Sequence, residues 1–341
     1  MTQKPLLILD QHFRQLEELF RPQTYDALSR ICRIEGGQNW PMDPAKVDDL
    51  IGEAAFYVAA LPQLSADQVG RAQNLRAVIE VAGANNEGLA YEACFDRGIE
   101  VLSASPGFRQ SVAEMTLAMA LAGGRGLVRE HEAFRRGAEH WLEDRPETDF
   151  SLFGATVGFI GFGQIARETA RLMAPFAPEV LAFDPFLTDA GPDVELCDLG
   201  ALVARSRIVV LAAVPSEETR NLLSADLIAR LQTGALVIVI SRAWSVDFPA
   251  LLHAAETGRI VIATDVFPTE PLGRNDPLRH ASNVILSPHR AAAVMGGRHL
   301  IGDMLLQDVQ AILDGRTERQ LKAADRAQVA SLVAAQRDLQ S

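Results

Sequence analysis

The stretch Thr156-Val157-Gly158-Phe159-Ile160-Gly161-Phe162-Gly163-Gln164-Ile165-Ala166 decides how this chain folds. Its first five residues form a short apolar run, the pattern of a buried strand. From Gln164 to Met173 the pattern is helical in period. The turn between them uses Gly161, where a Cβ would block a tight turn, and Gly163, where backbone must come close to a ligand. Ala166 keeps the helix near the strand. Backbone N–H groups at the helix start, those of Gln164 and Ile165 among them, then face the turn, and such an array binds pyrophosphate. A glycine pattern alone is weak, but here the strand before it and the helix after it are both present, as dinucleotide binding demands.

Outward from the turn, Val180-Leu181-Ala182-Phe183 is the next apolar run, and it ends in Asp184-Pro185. A carboxylate there accepts hydrogen bonds from the adenosine ribose hydroxyls and repels a 2′-phosphate, so the expected cofactor is NAD rather than NADP. Further Val- and Ile-rich runs lie at Leu6–Leu9, Ala54–Ala60, Ala77–Ala82, Ile99–Leu102, Ile208–Ala213, Ala235–Ile240, Ile260–Thr264 and Asn283–Leu286. They do not alternate with polar residues, which marks strands of parallel sheets covered on both faces. Helical stretches such as Ala225–Leu231 and Asp247–Thr257 lie between them.

The expected fold is therefore α/β, with two doubly wound parallel-sheet domains: a Rossmann NAD-binding domain and a flavodoxin-like substrate domain. Residues 1–105 would begin the substrate domain, 106–290 would form the NAD-binding domain, and 291–341 would return to the first. A cleft between them would close on substrate by hinge motion near residues 105 and 291. The helix Gln110–Ala122 has a nearly all-apolar body and should be buried on all sides, which suggests a homodimer. The tail beyond Leu321, rich in Ala, Gln and Arg, reads as a weakly anchored helix.

The formal net charge is −12, with no cluster of Lys and Arg. Phosphate backbones and anionic membranes would repel such a surface, so neither nucleic acid nor membrane is an expected partner. No apolar run is long enough to span a bilayer, and no signal-peptide pattern opens the chain. The three cysteines (Cys32, Cys94 and Cys197) show no paired spacing, which argues against disulfides and a cysteine metal site. A cytoplasmic location and no metal are the expectations. An acidic enzyme can still bind a small anion through a local arginine.

Arg242 is such an arginine, at the mouth of the apolar run Ala235–Ile240. Burying it alone is costly, and its planar fork suits a carboxylate, although a structural ion pair would also satisfy it. His289 follows Val284-Ile285-Leu286-Ser287-Pro288, and histidine exchanges protons near neutrality. Glu270 lies in Asp265-Val266-Phe267-Pro268-Thr269-Glu270-Pro271, and paired with His289 it would hold the ring orientation. Each of these alone has an ordinary structural explanation; the set of three carries the chemistry.

In these motifs the chain resembles the D-isomer-specific 2-hydroxyacid dehydrogenases. The similarity runs from about Leu75 to Ala293 and keeps the order of the glycine turn, Asp184, Arg242 with Val246-Asp247, Asp265 through Pro271, and Ser287-Pro288-His289. Ala82-Gly83-Ala84-Asn85-Asn86 resembles that family's substrate-carboxylate loop. The resemblance implies reduction of a 2-oxo acid by NADH. His289 would be the acid/base, Glu270 its partner, and Arg242 with Gly83, Ala84 and Asn85 the substrate contacts. Asp265 would hold the nicotinamide amide. The chain departs from the family pattern at Asn85, Phe108, Val239, Ala243, Trp244 and Arg290. Trp244 reads either as a bulky wall beside the arginine or as a core residue. Arg290 reads as a contact for a second acidic group or as a surface ion-pair partner.

Two other readings stand beside this one. A non-catalytic NAD(H)-sensing scaffold, similar to co-repressors on the same fold, would bind cofactor and turn nothing over. A related NAD enzyme would act on an anion such as formate or phosphite.

Overall fold

The computed structural model describes residues 4–10, 15–37, 39, 41–83, 86–141, 147–330 and 333. They form two compact units. One holds residues up to Arg109 together with those from Ala293 onward, and the other is Gln110–Ala292.

The first unit contains β1 (Leu6–Asp10), β2 (Arg33–Gly36), β3 (Ala54–Ala59), β4 (Ala77–Glu80) and β5 (Glu100–Ser103). The second contains β6 (Thr156–Ile160), β7 (Glu179–Phe183), β8 (Glu195–Leu196), β9 (Ile208–Leu211), β10 (Leu236–Val239), β11 (Val261–Thr264) and β12 (Val284–Leu286). A short β13 (Lys322–Ala323) closes the first unit's sheet. The sheet orders are β13-β5-β4-β3-β1-β2 and β12-β11-β10-β9-β6-β7-β8. Every pairing is parallel except β13 with β5.

The central strands are those the apolar runs mark. β3, β4, β9, β10 and β11 are buried at every position, because helices cover both faces of each sheet. β2, β8 and β13 carry no such run. They sit at or beside sheet edges and are half-buried or exposed, so no apolar pattern announces them. In the second unit the chain order reverses between β6 and β9, which is the switch point where an open α/β sheet leaves a crevice at its carboxyl ends. The same arrangement in both units makes this a two-domain α/β protein with a Rossmann-type second unit.

Within the single chain the helix Arg109–Gly124 buries one face and leaves another exposed. It buries Val112, Ala113, Thr116, Met119 and Ala120 but leaves Glu114, Ala118 and Leu121 exposed. Its small residues bring it onto β10 along one face only; a Cβ on Gly123 would come within 2.7 Å of Leu236 Cδ1. The exposed strip continues on the helix Leu127–Arg135, where Leu127 is 62% and Phe134 58% exposed. Just before the tail beyond Leu321, the chain is tied to the rest of the first unit. Buried Asp308 accepts the amides of Gln320 and Leu321, each at 2.8 Å, and Arg319 forks onto Glu100 at 2.6 and 2.7 Å. Val329 packs in the core.

Candidate active site

The second unit brings its marked residues to one end of its sheet. β10, β11 and β12 are in register with Val239 beside Thr264 and Thr264 beside Leu286, so the three strands end level. Arg242 follows β10, Asp265 and Glu270 follow β11, and His289 follows β12. The glycine turn follows β6 and Asp184 follows β7 at the same carboxyl end.

At the turn, Gly161 has φ +84, and a Cβ on it would lie 2.6 Å from Ala213 Cα on the loop after β9. Only glycine satisfies both the backbone angle and that approach. A Cβ on Gly163 would meet nothing within 4 Å, so this side of the turn is open. Gly163 is the N-cap of the helix Gln164–Met173, and no side chain caps that helix start. The amides of Gln164 and Ile165 in its first turn are thus donors at a positive helix end facing open space. Asp184 sits beside them: its Oδ2 accepts from Phe162 N at 2.9 Å and its Oδ1 from Phe186 N at 3.0 Å. A dinucleotide pyrophosphate fits this open, uncapped helix start, with the ribose toward Asp184.

Glu270 and His289 are paired. His289 Nδ1 lies 2.6 Å from Glu270 Oε2, and Glu270 Oε1 accepts from Phe267 N at 2.9 Å. Burial pushes the Glu270 carboxyl up, but the hydrogen bonds from His289 and Phe267 and the charges of His289 and Arg242 outweigh it, so its pKa lies below the ordinary value. The ionised carboxylate can only accept, which places the proton of the contact on Nδ1 and leaves Nε2 as the site of proton exchange. His289 itself has φ +50, uncommon for a residue with a side chain.

Asp265 holds that strained segment, a role the sequence did not announce. It is 1% exposed; its Oδ1 accepts from Arg290 N at 2.8 Å and from Ser287 Oγ, and its Oδ2 accepts from Ala291 N at 2.8 Å. Its carbonyl accepts from His289 N at 2.9 Å. One buried carboxylate thereby fixes the loop on both sides of His289.

Arg242 is half-buried, and its Nη1 donates to its own chain at Ser241 O, at 2.8 Å. Among the described residues no carboxylate hydrogen-bonds its guanidinium, so the structural ion pair is absent. Burial lowers its pKa from the ordinary value, with the charge of Glu270 opposing the shift. The Ser241 Oγ beside it is buried without a hydrogen-bond partner. A desolvated cation next to an orphaned hydroxyl is suited to an incoming anion.

The remaining candidates lie elsewhere. Gly83 belongs to the first unit, with φ +82, and a Cβ on it would come within 2.9 Å of Phe108. Ala84 and Asn85 fall outside the described residues. Arg290 is exposed, so its side chain is no part of a packed core. Among the described residues no helix is long and apolar enough to cross a membrane.

The sequence profile described as "D-isomer specific 2-hydroxyacid dehydrogenase, NAD binding domain" matches residues 117–291. The chain is 28% identical over 270 residues to a D-3-phosphoglycerate dehydrogenase of Archaeoglobus fulgidus, covering 77% of this chain and 50% of that protein, so it spans about half the length of that relative. It is 28% identical to a hydroxypyruvate reductase of Thermotoga maritima, over 74% of this chain and 83% of that one. Among solved structures, a phosphoglycerate oxidoreductase from Rhizobium etli superposes with a TM-score of 0.82 at 32% identity, covering 95% of this chain and 99% of the other. With the glycine turn, Asp184 and the Arg242, Glu270 and His289 set at one sheet end, the conclusion is that this chain is an NAD-dependent member of the D-isomer specific 2-hydroxyacid dehydrogenase family.

Proposed function

We propose that the protein interconverts a 2-oxo acid and the corresponding D-2-hydroxy acid, with His289 as the acid/base. The observation that carries this is the His289–Glu270 pair at the same sheet end as Arg242, a desolvated cation that no carboxylate among the described residues hydrogen-bonds.

Bound NADH supplies the hydride. Its pyrophosphate would rest on the turn Gly161–Gly163 and the amides of Gln164 and Ile165. Its ribose would meet Asp184, and its nicotinamide amide Asp265. Arg242 would hold the substrate carboxylate in its fork and draw negative charge toward the carbonyl oxygen. Gly83 joins the carboxylate set on the resemblance alone. As charge grows on that oxygen, His289 Nε2–H gives it a proton. Glu270 stabilises the ring while it is charged and keeps it facing one way. In the reverse direction neutral Nε2 takes the proton from the hydroxyl. The unit Gln110–Ala292 then acts as the NAD-binding domain and the other as the substrate domain.

The test is purified protein with NADH and a panel of small 2-oxo acids, hydroxypyruvate included, followed at the nicotinamide absorbance band. Oxidation of NADH by at least one of them is expected. Tight NADH binding with no turnover on any acid would instead favour a scaffold that senses NAD(H).

Two finer parts of the proposal have their own tests. Asp184→Ala is expected to weaken NADH binding by about ten-fold or more, the size of one lost charge-assisted hydrogen bond, and to narrow the gap between NADH and NADPH. Fluorescence titration with both cofactors measures this, and an unchanged gap would assign the discrimination to other residues. A homodimer is supported by the exposed apolar strip of Leu121, Leu127 and Phe134. Light scattering at micromolar concentration should give twice the chain mass, and a stable monomer would remove the dimer. A reducing, cytoplasmic compartment is supported by the three free cysteines.

A further inference from the structure

Trp244 stands two residues beyond Arg242, in the short turn Ala243–Ser245. It is half-buried and not a core residue. Its indole Nε1 donates to Ser216 O, on the loop after β9, at 2.8 Å. Its carbonyl accepts from Asn221 N at 3.0 Å, and the next carbonyl, Ser245 O, accepts from Leu223 N at 2.9 Å. Leu223 O in turn accepts from Asp247 N at 3.1 Å. The loop after β9 is thus laced to the Arg242 loop along its length. The Arg220 guanidinium covers the indole ring, 4.0 Å from its centroid.

The other end of the same loop meets the cofactor turn. Ala213 is the residue that a Cβ on Gly161 would strike. Ser216 itself is braced: its N donates to Thr219 Oγ1 at 2.7 Å, and that hydroxyl donates to Val214 O at 3.0 Å. A continuous run of packed backbone therefore leads from Gly161 through Ala213 and Ser216 to Trp244 and Arg242. The indole N–H of Trp244 is the side-chain donor that bonds the Arg242 loop to the loop after β9.

We propose that Trp244 is a positioning residue: its indole N–H latches the loop after β9 to the loop bearing Arg242, and so sets the arginine fork relative to the cofactor turn. This rests on the assignment of Arg242 to the substrate carboxylate. An arginine carried on a short turn has many rotamers and a soft backbone, and holding its turn at a second point reduces what substrate binding must order. The glycine turn is held independently by β6 and its helix, so cofactor binding does not depend on the latch.

The test compares wild-type protein with Trp244→Phe, which keeps an aromatic ring to face Arg220 but removes the N–H together with the second ring of the indole, and with Trp244→Gly, which deletes the whole side chain. In Trp244→Phe the KM for the 2-oxo acid should rise roughly three- to ten-fold, the size of one net hydrogen bond, with kcat within about two-fold. NADH affinity should stay unchanged. Two readouts need no turnover. Oxamate titrated into the NADH complex should bind more weakly by the same factor, and hydrogen exchange should speed up at the amides of Asn221 and Leu223. Should the wild type turn over no 2-oxo acid, the dehydrogenase activity fails, and oxamate binding and exchange still decide the latch. Unchanged carboxylate affinity in Trp244→Phe overturns the positioning role whatever the exchange shows. Unchanged exchange overturns the latch. An effect confined to Trp244→Gly assigns the role to the ring and not to the N–H, which also overturns it.

Discussion

Replacing His289 with Asn is expected to lower kcat for 2-oxo acid reduction by about 10²- to 10⁴-fold, the usual contribution of a positioned general acid, while NADH binding is kept. Asn can fill part of the imidazole volume and can donate to Glu270, but it has no group that gives up a proton near neutrality. The residues proposed to hold the pyrophosphate and ribose, Gly161, Gly163 and Asp184, lie on other strand ends, and the contact of His289 with Asp265 is made by its backbone N–H, which Asn retains, so NADH binding should be kept. Normal turnover by His289→Asn would remove the acid/base assignment. The companion change Glu270→Gln should be milder. It removes the ionised acceptor that fixes the proton on Nδ1 while leaving a neutral group that can still hydrogen-bond. The pH dependence follows from the proton balance. Reduction consumes a proton delivered by His289 and should slow as pH rises, whereas oxidation of the hydroxy acid should accelerate. For stability the sign is set by Glu270. Its folded pKa lies below the ordinary value, so its contribution is present above the ordinary carboxylate pKa and is lost as pH falls through the lowered one.

Arg242→Ala should cost roughly 30- to 3,000-fold in kcat/KM, the range for truncating one partner of a desolvated charge pair. The loss should divide between KM, through the carboxylate, and kcat, through the carbonyl oxygen that gains charge in the transition state. Arg242→Lys should recover little, because an ammonium is a point charge and cannot hold two carboxylate oxygens in one plane. Added guanidinium ion that restores turnover to Arg242→Ala would confirm that the missing element is the cation itself. Wild-type kinetics in either variant would show that the substrate anion is held elsewhere. Folding should survive, since among the described residues the guanidinium hydrogen-bonds only the adjacent Ser241 carbonyl.

Much of this site was legible in sequence because the relevant physics is local. A strand buried on both faces must be apolar at every position, and β9, β10 and β11 announce themselves in that way. Residues that follow such strands fall at the carboxyl end of the sheet, where ligands bind, so Asp184, Arg242, Glu270 and His289 could be picked by position. Edge strands lack this signature. β2 is half-buried and mixes Arg33 and Glu35 with Ile34, and β8 and β13 are two residues each.

By itself, then, the sequence determined the α/β class and the glycine turn around Gly161, and it marked the residues proposed for proton transfer. Each of these depends on residues close together in the chain, where pattern and spacing act directly. Tertiary structure alone decided that Asp265 holds the loop on both sides of His289 from 22 to 26 residues away. It also decided that, among the described residues, no carboxylate hydrogen-bonds Arg242, and that Trp244 reaches back to Ser216, 28 residues earlier. Hydrogen bonds between segments so far apart exist only after the parallel strands have been stacked side by side, so no local pattern can record them.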